Sequence, residues 1–184
     1  MNSEDEIDFK VGVLGATNLA SILITRLIEK NIRVHLLLDQ KRIYFGAGAK
    51  YFVSQCEIVK ASDIIITICQ DGPELENVLF GNNGIAQVVT GETLIIDMST
   101  VSPELIKEIS EQLNEYGWPF LDATVISEKQ MEFGLIQMML VGGDKYLYDK
   151  VLPVLSRIAE NVRHIGENGA SQFYRQAFAV RAKI

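Results

Sequence analysis

Three polar residues at the end of an apolar run are the residues of this sequence best suited to chemistry. In the segment GETLIIDMSTVS, residues 91–102, the apolar residues are typical of a buried strand, and Asp97, Ser99 and Thr100 lie at its carboxyl end. Ligands of open α/β sheets bind outside the carboxyl ends of the strands. The carboxyl group and the two hydroxyl groups are therefore candidate ligand-binding groups.

A glycine turn near the N-terminus predicts a second part of the same site. The segment KVGVLGATNLA, residues 10–20, runs from an apolar strand into a helix. The positions that correspond to the dinucleotide fingerprint G-x-G-x-x-G are Gly15, Ala16, Thr17, Asn18, Leu19 and Ala20. Thr17 places a branched side chain where the backbone would approach a pyrophosphate, but Thr17 and Asn18 could themselves donate hydrogen bonds to an anion. The alternative is that Gly15 serves only a tight strand-to-helix turn.

The end of the second predicted strand carries both acidic and basic residues. Asp39 stands 24 positions after Gly15, where an acid would bind the ribose hydroxyls of NAD. Lys41 and Arg42 follow it and could hold the 2′-phosphate of NADP instead. The sequence predicts a dinucleotide, NAD or NADP, and leaves the preference open. A solvated turn is the alternative interpretation of this DQKR run.

Strand and helix patterns alternate along the chain. Strands are predicted at residues 10–15, 33–39, within GAGAKYFVS, and at 63–69, 93–98, 120–125, 137–141 and 162–165. Helices are predicted after Gly15, where Leu19, Leu23 and Leu27 form a stripe, and at 73–80, 103–116, around 147–158 and at 171–184, with one or two helical turns within 40–49. Right-handed βαβ units then favour an α/β fold, a Rossmann-like doubly wound, mostly parallel sheet with helices on both faces.

Composition limits the domain count and the partners. The 184 residues, 48% of them hydrophobic, are enough for one compact domain at residues 10–168, after a disordered acidic tail at 1–9. A net charge of -7 with scattered basic residues argues against nucleic acid, and no apolar run approaches a membrane span. Cys56 and Cys69 lack C-x-x-C spacing, which favours reduced thiols in the cytoplasm. His35 and His164 lack neighbouring ligands, so no metal site is predicted.

Four stretches resemble the β-hydroxyacid dehydrogenase family, in particular the N-terminal NAD(P)-binding domain of 3-hydroxyisobutyrate dehydrogenase and 6-phosphogluconate dehydrogenase. They are DMSTVSP at 97–103, FLDATV at 120–125, LVGGD at 140–144 and HIGENGASQ at 164–172. The resemblance covers roughly residues 10–177. It implies that Ser99 and Thr100 approach the nicotinamide and a small hydroxy acid substrate. It also implies that the loop of Cys69, Gln70 and Asp71 lies along the cofactor.

Two sites depart from the pattern of the family. The family places a catalytic lysine six residues after the glycine that is Gly169 here, and this sequence has Arg175 at that position. Arginine keeps the charge and can orient an anion, but its guanidinium does not lose a proton in proteins, so it is a poor proton shuttle. The glycine-rich substrate loop of the family is replaced by bulkier residues. Ser127 remains a candidate substrate-binding residue there, and Glu128 would repel an acidic substrate.

The last residues lead to two hypotheses about function. The resemblance implies that residues 169–184 are the start of an interdomain or dimerisation helix, and we expect the helical C-terminal domain of the family to be absent. Its apolar stripe is Phe173, Ala177, Val180 and Ile184, which could pair in a homodimer or pack on its own sheet. The first hypothesis is the NAD(P)-binding domain of a hydroxyacid oxidoreductase that is inactive alone. The alternative is a non-catalytic relative that serves as a nucleotide-binding or assembly scaffold.

Overall fold

A computed structural model describes residues 9–39, 48–88, 93–126 and 136–181 of the chain. Within these residues the strands are β1 (Lys10–Leu14), β2 (Arg33–Leu37), β3 (Ala49–Phe52), β4 (Ile64–Thr67), β5 (Leu94–Asp97), β6 (Phe120–Ile126), β7 (Ile136–Gly143) and β8 (Ala159–Gly166). The helices are α1 (Asn18–Glu29), α2 (Gln55–Ala61), α3 (Gly72–Phe80), α4 (Pro103–Glu115), α5 (Lys145–Ile158) and α6 (Ala170–Arg181), with a short 3-10 turn at Ile85–Gln87. Residues 1–8 of the predicted acidic tail, 1–9, lie outside this part of the chain.

All the described strands belong to one sheet, in the order β3-β2-β1-β4-β5-β6-β7-β8. Neighbouring strands are parallel from β3 through β6. The pair β6 and β7 is antiparallel, and β7 and β8 are again parallel to each other. The strand order reverses next to β1, so the predicted doubly wound, mostly parallel sheet is confirmed.

Each face of the sheet is covered by a separate hydrophobic core. Along β4, Ile64 and Ile66 face the core that contains α1 and α5, whereas Ile65 between them faces the core that contains α2, α3 and α4. Successive side chains of a strand point to opposite faces, so a strand covered on both faces needs an unbroken apolar run. Helix α6 packs against β6, β7, β8 and α4. The predicted helices on both faces are thus present.

Several predicted elements differ from the structure in position. Strand β2 ends at Leu37 rather than at Asp39, and helix α2 has no counterpart among the predicted elements. Ser54 caps α2 by accepting a hydrogen bond from the Glu57 amide at 3.3 Å, and the helix buries Ile58 and Val59. Its seven residues are too short to show a helical stripe. The turns predicted between residues 40 and 47 lie outside the described residues.

The apolar stripe predicted for the last helix is not buried against the sheet. Phe173 and Ala177 are exposed on α6, and Ser171 and Gln172 are the residues that α6 turns inward. The buried side of α6 is therefore polar, because it contacts polar groups at the strand ends. The side chain of Val180 and the whole of Ile184 lie outside the described residues.

Candidate cofactor-binding site

The turn between β1 and α1 can only be made by glycine. Gly15 has a φ of +130°, which side chains rarely tolerate, and a Cβ at this position would overlap the carbonyl oxygen of Ile68. The end of β1 is held against the end of β4, because the Ile68 amide donates to the Leu14 carbonyl at 2.8 Å. The turn therefore has no side chain at Gly15 and lies directly beside the loop that follows β4.

The N-terminus of α1 has the chemistry of an anion site. The Thr17 side chain caps the helix and accepts from the Ala20 amide at 3.2 Å, which leaves the hydroxyl proton able to donate elsewhere. Ala16 and Asn18 are exposed, and Leu19 is half-buried against the core. The first turn of α1, all within the described residues, holds no acidic side chain. The residues present thus fit a pyrophosphate at the positive end of the helix dipole.

The loop after β4 joins this turn to the next strand end. Cys69 is buried, and its amide donates to the Ser99 hydroxyl oxygen at 2.8 Å. Burial raises the pKa of the Cys69 thiol to about 12, so the thiol is neutral and is not a nucleophile. Gln70 and Asp71 are exposed, and Asp71 caps α3 by accepting from the Glu74 amide at 2.9 Å. The exposed part of this loop is therefore Gln70 and Asp71.

The loop after β5 is organised by a buried carboxylate. Asp97 Oδ1 accepts hydrogen bonds from the Thr67 hydroxyl at 2.7 Å and from the Ser99 hydroxyl at 2.6 Å. Burial raises the pKa of Asp97 to about 6. Asp97 Oδ2 is buried and has no hydrogen-bond partner among the described residues. Since the Ser99 hydroxyl both donates to Asp97 and accepts from Cys69, it shapes the loop, and Thr100 is the exposed hydroxyl group.

A second buried carboxylate accepts hydrogen bonds from backbone amides at the start of helix α6. Asp122 Oδ1 accepts from the Gly169 amide at 2.8 Å, and Oδ2 accepts from the Ser171 amide at 3.3 Å. Burial raises the pKa of Asp122, and the hydrogen bonds from these amides oppose that shift. A Cβ at Gly142 would lie 2.7 Å from Asp122 Oδ1, so the glycine leaves room for the carboxylate. Asp122 on β6 is the register partner of Asp97 on β5, so the two acids lie side by side on one face.

Helix α6 is tied to the loop after β5 by two long side chains. Gln172 Nε2 donates to the Ser99 carbonyl at 2.9 Å. Arg175 Nε donates to Gln172 Oε1 at 2.8 Å, and an Arg175 terminal nitrogen donates to the Val101 carbonyl at 3.1 Å. Partial burial lowers the pKa of Arg175. The guanidinium therefore lies beside the loop that carries Ser99 and Thr100.

Of the residues predicted to bind the adenosine end of the cofactor, Asp39 is the one within the described residues. Asp39 is exposed beyond β2 and lines a cleft of about 890 Å³ with Leu37, Val53, Cys56 and Asn77. This cleft lies at the carboxyl ends of β2 and β3, and β2 is the strand that pairs with β1. Lys41, Arg42, Ser127 and Glu128 lie outside the described residues.

The structure thus brings together the loops of Gly15, Cys69 and Ser99 and the part of helix α6 that carries Arg175, which are far apart in sequence. Two polar residues in these contacts, Asp122 and Gln172, were not predicted as site residues. A signal existed for both, since each is a polar residue inside a stretch that resembles the family, but a sequence shows no hydrogen-bond partner.

Two further observations concern metal ions and membrane-spanning helices. No group of three or more His, Cys, Asp or Glu side chains suited to a metal ion occurs within residues 9–39, 48–88, 93–126 and 136–181. His35 instead contacts the Ser62 hydroxyl at 2.9 Å, and His164 Nε2 lies 2.7 Å from the Gly143 carbonyl. In the same ranges, none of the helices is long and apolar enough for a membrane span.

Comparison with known proteins agrees with the geometry. A family model described as the NAD binding domain of 6-phosphogluconate dehydrogenase matches residues 10–166. The 2-hydroxy-3-oxopropionate reductase of Escherichia coli is 37% identical over 126 residues, 68% of this chain and 43% of that protein. The 3-hydroxyisobutyrate dehydrogenase of Pseudomonas aeruginosa is 26% identical over 165 residues, 88% of this chain and 55% of that protein. The chain spans about half the length of these curated relatives.

Solved structures show the same fold. An imine reductase variant from Myxococcus stipitatus in complex with NAD+ superposes with a TM-score of 0.85 at 20% identity, covering 96% of this chain and 61% of that one. The imine reductase from the same organism in complex with NADP+ gives a TM-score of 0.84 at 20% identity, covering 94% and 61%. The family model covers most of the chain and its matched residues include the β1–α1 turn and the loops after β4 and β5, so the chain belongs to the family of the NAD binding domain of 6-phosphogluconate dehydrogenase.

Proposed function

We propose that this chain holds NAD or NADP across the carboxyl ends of β1, β2, β4 and β5, as the cofactor domain of an oxidoreductase that acts on small hydroxy acids. The observation that carries this proposal is the turn at Gly15, where a residue that must be glycine precedes a helix N-terminus whose first turn has no acidic side chain. Thr17 and Asn18 would hold the pyrophosphate there. Asp39 would bind the ribose, with Lys41 and Arg42 as the competing partners of a 2′-phosphate.

The nicotinamide end of the site would lie at the loops after β4 and β5. Gln70 and Asp71 border the path of the cofactor, and Thr100 offers an exposed hydroxyl group to the nicotinamide or the substrate. A bound nicotinamide accepts or donates a hydride. The part of this chain is to orient the reacting groups, and Ser127 is the proposed further contact to the substrate.

The presence of Arg175 restricts the proton transfer that this chain can perform. Its guanidinium already donates to Gln172 Oε1 and to the Val101 carbonyl, and it stays protonated. It can therefore orient an anion, but it does not take a proton from a substrate hydroxyl group. This observation also favours the second candidate function, a relative that binds nucleotide without catalysis and serves as a scaffold.

A fluorescence titration with NADH and NADPH tests the proposed binding. We expect saturable binding of at least one of them with a dissociation constant in roughly the micromolar range. The comparison of the two titrations decides the preference between NAD and NADP. Absence of binding of both at millimolar concentration would refute the cofactor domain.

A turnover assay tests whether this chain catalyses oxidation by itself. The chain is mixed with NAD or NADP and with 3-hydroxyisobutyrate or related acids, and formation of reduced cofactor is followed by absorbance. We expect no turnover by the wild type and none by Arg175→Lys alone. Measurable oxidation by the wild type would reject the non-catalytic role.

We further propose a homodimer that forms through helix α6 in a reducing, cytoplasmic compartment. Phe173 is 64% exposed and Phe178 is 48% exposed, so α6 presents apolar area that a second copy could cover. The free thiols of Cys56 and Cys69 are consistent with that compartment. Light scattering coupled to gel filtration would give the mass of a dimer for the wild type and that of a monomer for Phe173→Glu.

A further inference from the structure

Ser99 is bonded on two sides to different parts of the molecule. Its hydroxyl oxygen accepts from the Cys69 amide at 2.8 Å, in the loop after β4. Its carbonyl oxygen accepts from Gln172 Nε2 at 2.9 Å, on helix α6. A displacement of the loop after β5 therefore changes hydrogen bonds both at the proposed cofactor path and at α6.

Gln172 is the residue of α6 that makes this connection. Its side chain is 0% exposed, and its two polar atoms are both used, one towards Ser99 and one towards Arg175. A buried amide whose donor and acceptor are both satisfied has a single favourable orientation. Gln172 thus orients the Arg175 guanidinium and the Ser99 backbone at the same time.

The loops that Gln172 and Ser99 join are also in contact with the β1–α1 turn, which would hold the pyrophosphate. The Ile68 amide donates to the Leu14 carbonyl, and the Ile68 carbonyl lies against Gly15. Ile68 precedes Cys69, so the β1–α1 turn and the loops after β4 and β5 are contiguous through backbone groups. Helix α6 is hydrogen-bonded to this set at the loop after β5, through Ser99 and Val101.

We propose that Gln172 is a positioning residue that couples occupancy of the cofactor site to the order of helix α6. The inference rests on the proposed binding of NAD or NADP and assigns a regulatory consequence to it. A nucleotide that holds the loops after β4 and β5 in place also holds the Ser99 carbonyl against Gln172. The coupling is reciprocal, so loss of the Gln172 bonds weakens binding of the nucleotide.

Hydrogen exchange of the wild type tests the first half of this coupling. Amide exchange is measured by mass spectrometry with and without saturating NADH or NADPH, whichever binds more tightly. We expect peptides that cover residues 170–178 to exchange more slowly with nucleotide. Peptides of α5, on the opposite face of the sheet, are the internal control and should not change. Unchanged exchange in α6 at saturation would overturn the inference.

Substitution of Gln172 tests the reciprocal half. Gln172→Met removes both hydrogen bonds and keeps the length and helix propensity of the side chain. We expect its nucleotide dissociation constant to rise roughly tenfold, and its α6 peptides to lose the nucleotide-dependent protection. Gln176→Met, one turn later at an exposed position of the same helix, is the matched control and should bind like the wild type.

A third variant distinguishes the two bonds of Gln172. Gln172→Glu keeps an acceptor for Arg175 but places a carboxylate oxygen against the Ser99 carbonyl, where no donor remains. We expect it to weaken nucleotide binding as Gln172→Met does. Wild-type affinity in either Gln172 variant would overturn the inference while leaving the cofactor domain intact. Absence of nucleotide binding by the wild type itself would overturn both.

Discussion

At the scale of single residues, the site depends on buried polar side chains that are hydrogen-bonded to other parts of the protein, although Asp97 Oδ2 has no partner among the described residues. Ser99 and Asp97 form one buried hydrogen-bonded set, and Asp122 holds the first amides of α6. Unpaired buried groups cost about 1–3 kcal/mol each, so these bonds specify the loop conformations strongly. The groups left exposed for a ligand are fewer, with Asn18, Gln70 and Thr100 as the clearest examples.

The first prediction at this scale concerns Gly15. Gly15→Ala forces a methyl group onto the Ile68 carbonyl at a φ of +130°, so we expect unfolding free energy to fall by roughly 2–4 kcal/mol. Gly117→Ala is the matched control, because Gly117 also has a positive φ of +73° but has nothing within 4 Å of the added carbon. Urea denaturation should show a loss of only about 1 kcal/mol for the control. Equal losses in the two variants would contradict the close approach of β1 and β4.

The second prediction concerns the buried acid Asp97. Its pKa is raised from 3.8 to about 6 in the folded protein, so the folded state holds this proton more tightly than the unfolded chain does. Its contribution therefore favours folding at acid pH and is lost as pH rises from about 4 to about 6, by ~3 kcal/mol in total. Urea denaturation between pH 4 and pH 7 should show a weaker pH dependence for Asp97→Asn. The same slope in wild type and variant would exclude a raised pKa.

At the scale of elements, helix caps determine where the site residues lie. Thr17, Asp71, Ser102 and Asp144 each accept a backbone hydrogen bond at the start of a helix that follows a strand. A side-chain cap satisfies one of the amides that the first turn leaves without partners, and it fixes the direction in which the helix leaves the sheet. The loops of the site are therefore short and held at both ends.

The prediction at this scale concerns the cap of α4. Ser102 accepts from the Leu105 amide at 3.1 Å, and α4 begins directly after the loop of Ser99 and Thr100 and packs against β6. We expect Ser102→Ala to lower the unfolding free energy by about 1 kcal/mol. Ser102→Asp keeps an acceptor and adds a charge that suits the helix N-terminus, so it should remain within about 0.5 kcal/mol of the wild type. Thermal or urea unfolding measures both variants. An equal loss of unfolding free energy in Ser102→Asp and Ser102→Ala would refute the capping role.

The elements also show which parts of the fold a sequence can reveal. The strands around Ile65 and Ile95 were predicted from unbroken apolar runs, and α4 from its stripe and its Ser102 cap, because these signals are local. Helix α2 is short and was not predicted, and the reversal of direction at β7 depends on pairing with β6, which no local pattern encodes.

At the scale of the whole molecule, the site exists because the sheet order brings distant loops to one edge. Gly15 and Asp39 could be predicted as members of that edge from their place after apolar strands. The contacts of Gln172 with Ser99, and of Asp122 with Gly169, depend on the register between strands and on the packing of α6, neither of which a single sequence specifies. The reversal of strand order next to β1 opens the crevice between β1 and β4 in which dinucleotides bind in this class of fold.

The most direct test of the central claim is an NMR titration of the isotope-labelled chain with NADH and NADPH. If the first crossover receives the pyrophosphate, the backbone amides of residues 15–20 should shift most, together with those of residues 69–71 and 99–100. Saturable binding that leaves the amides of residues 15–20 unshifted would contradict the account, as would the absence of any shift at millimolar nucleotide.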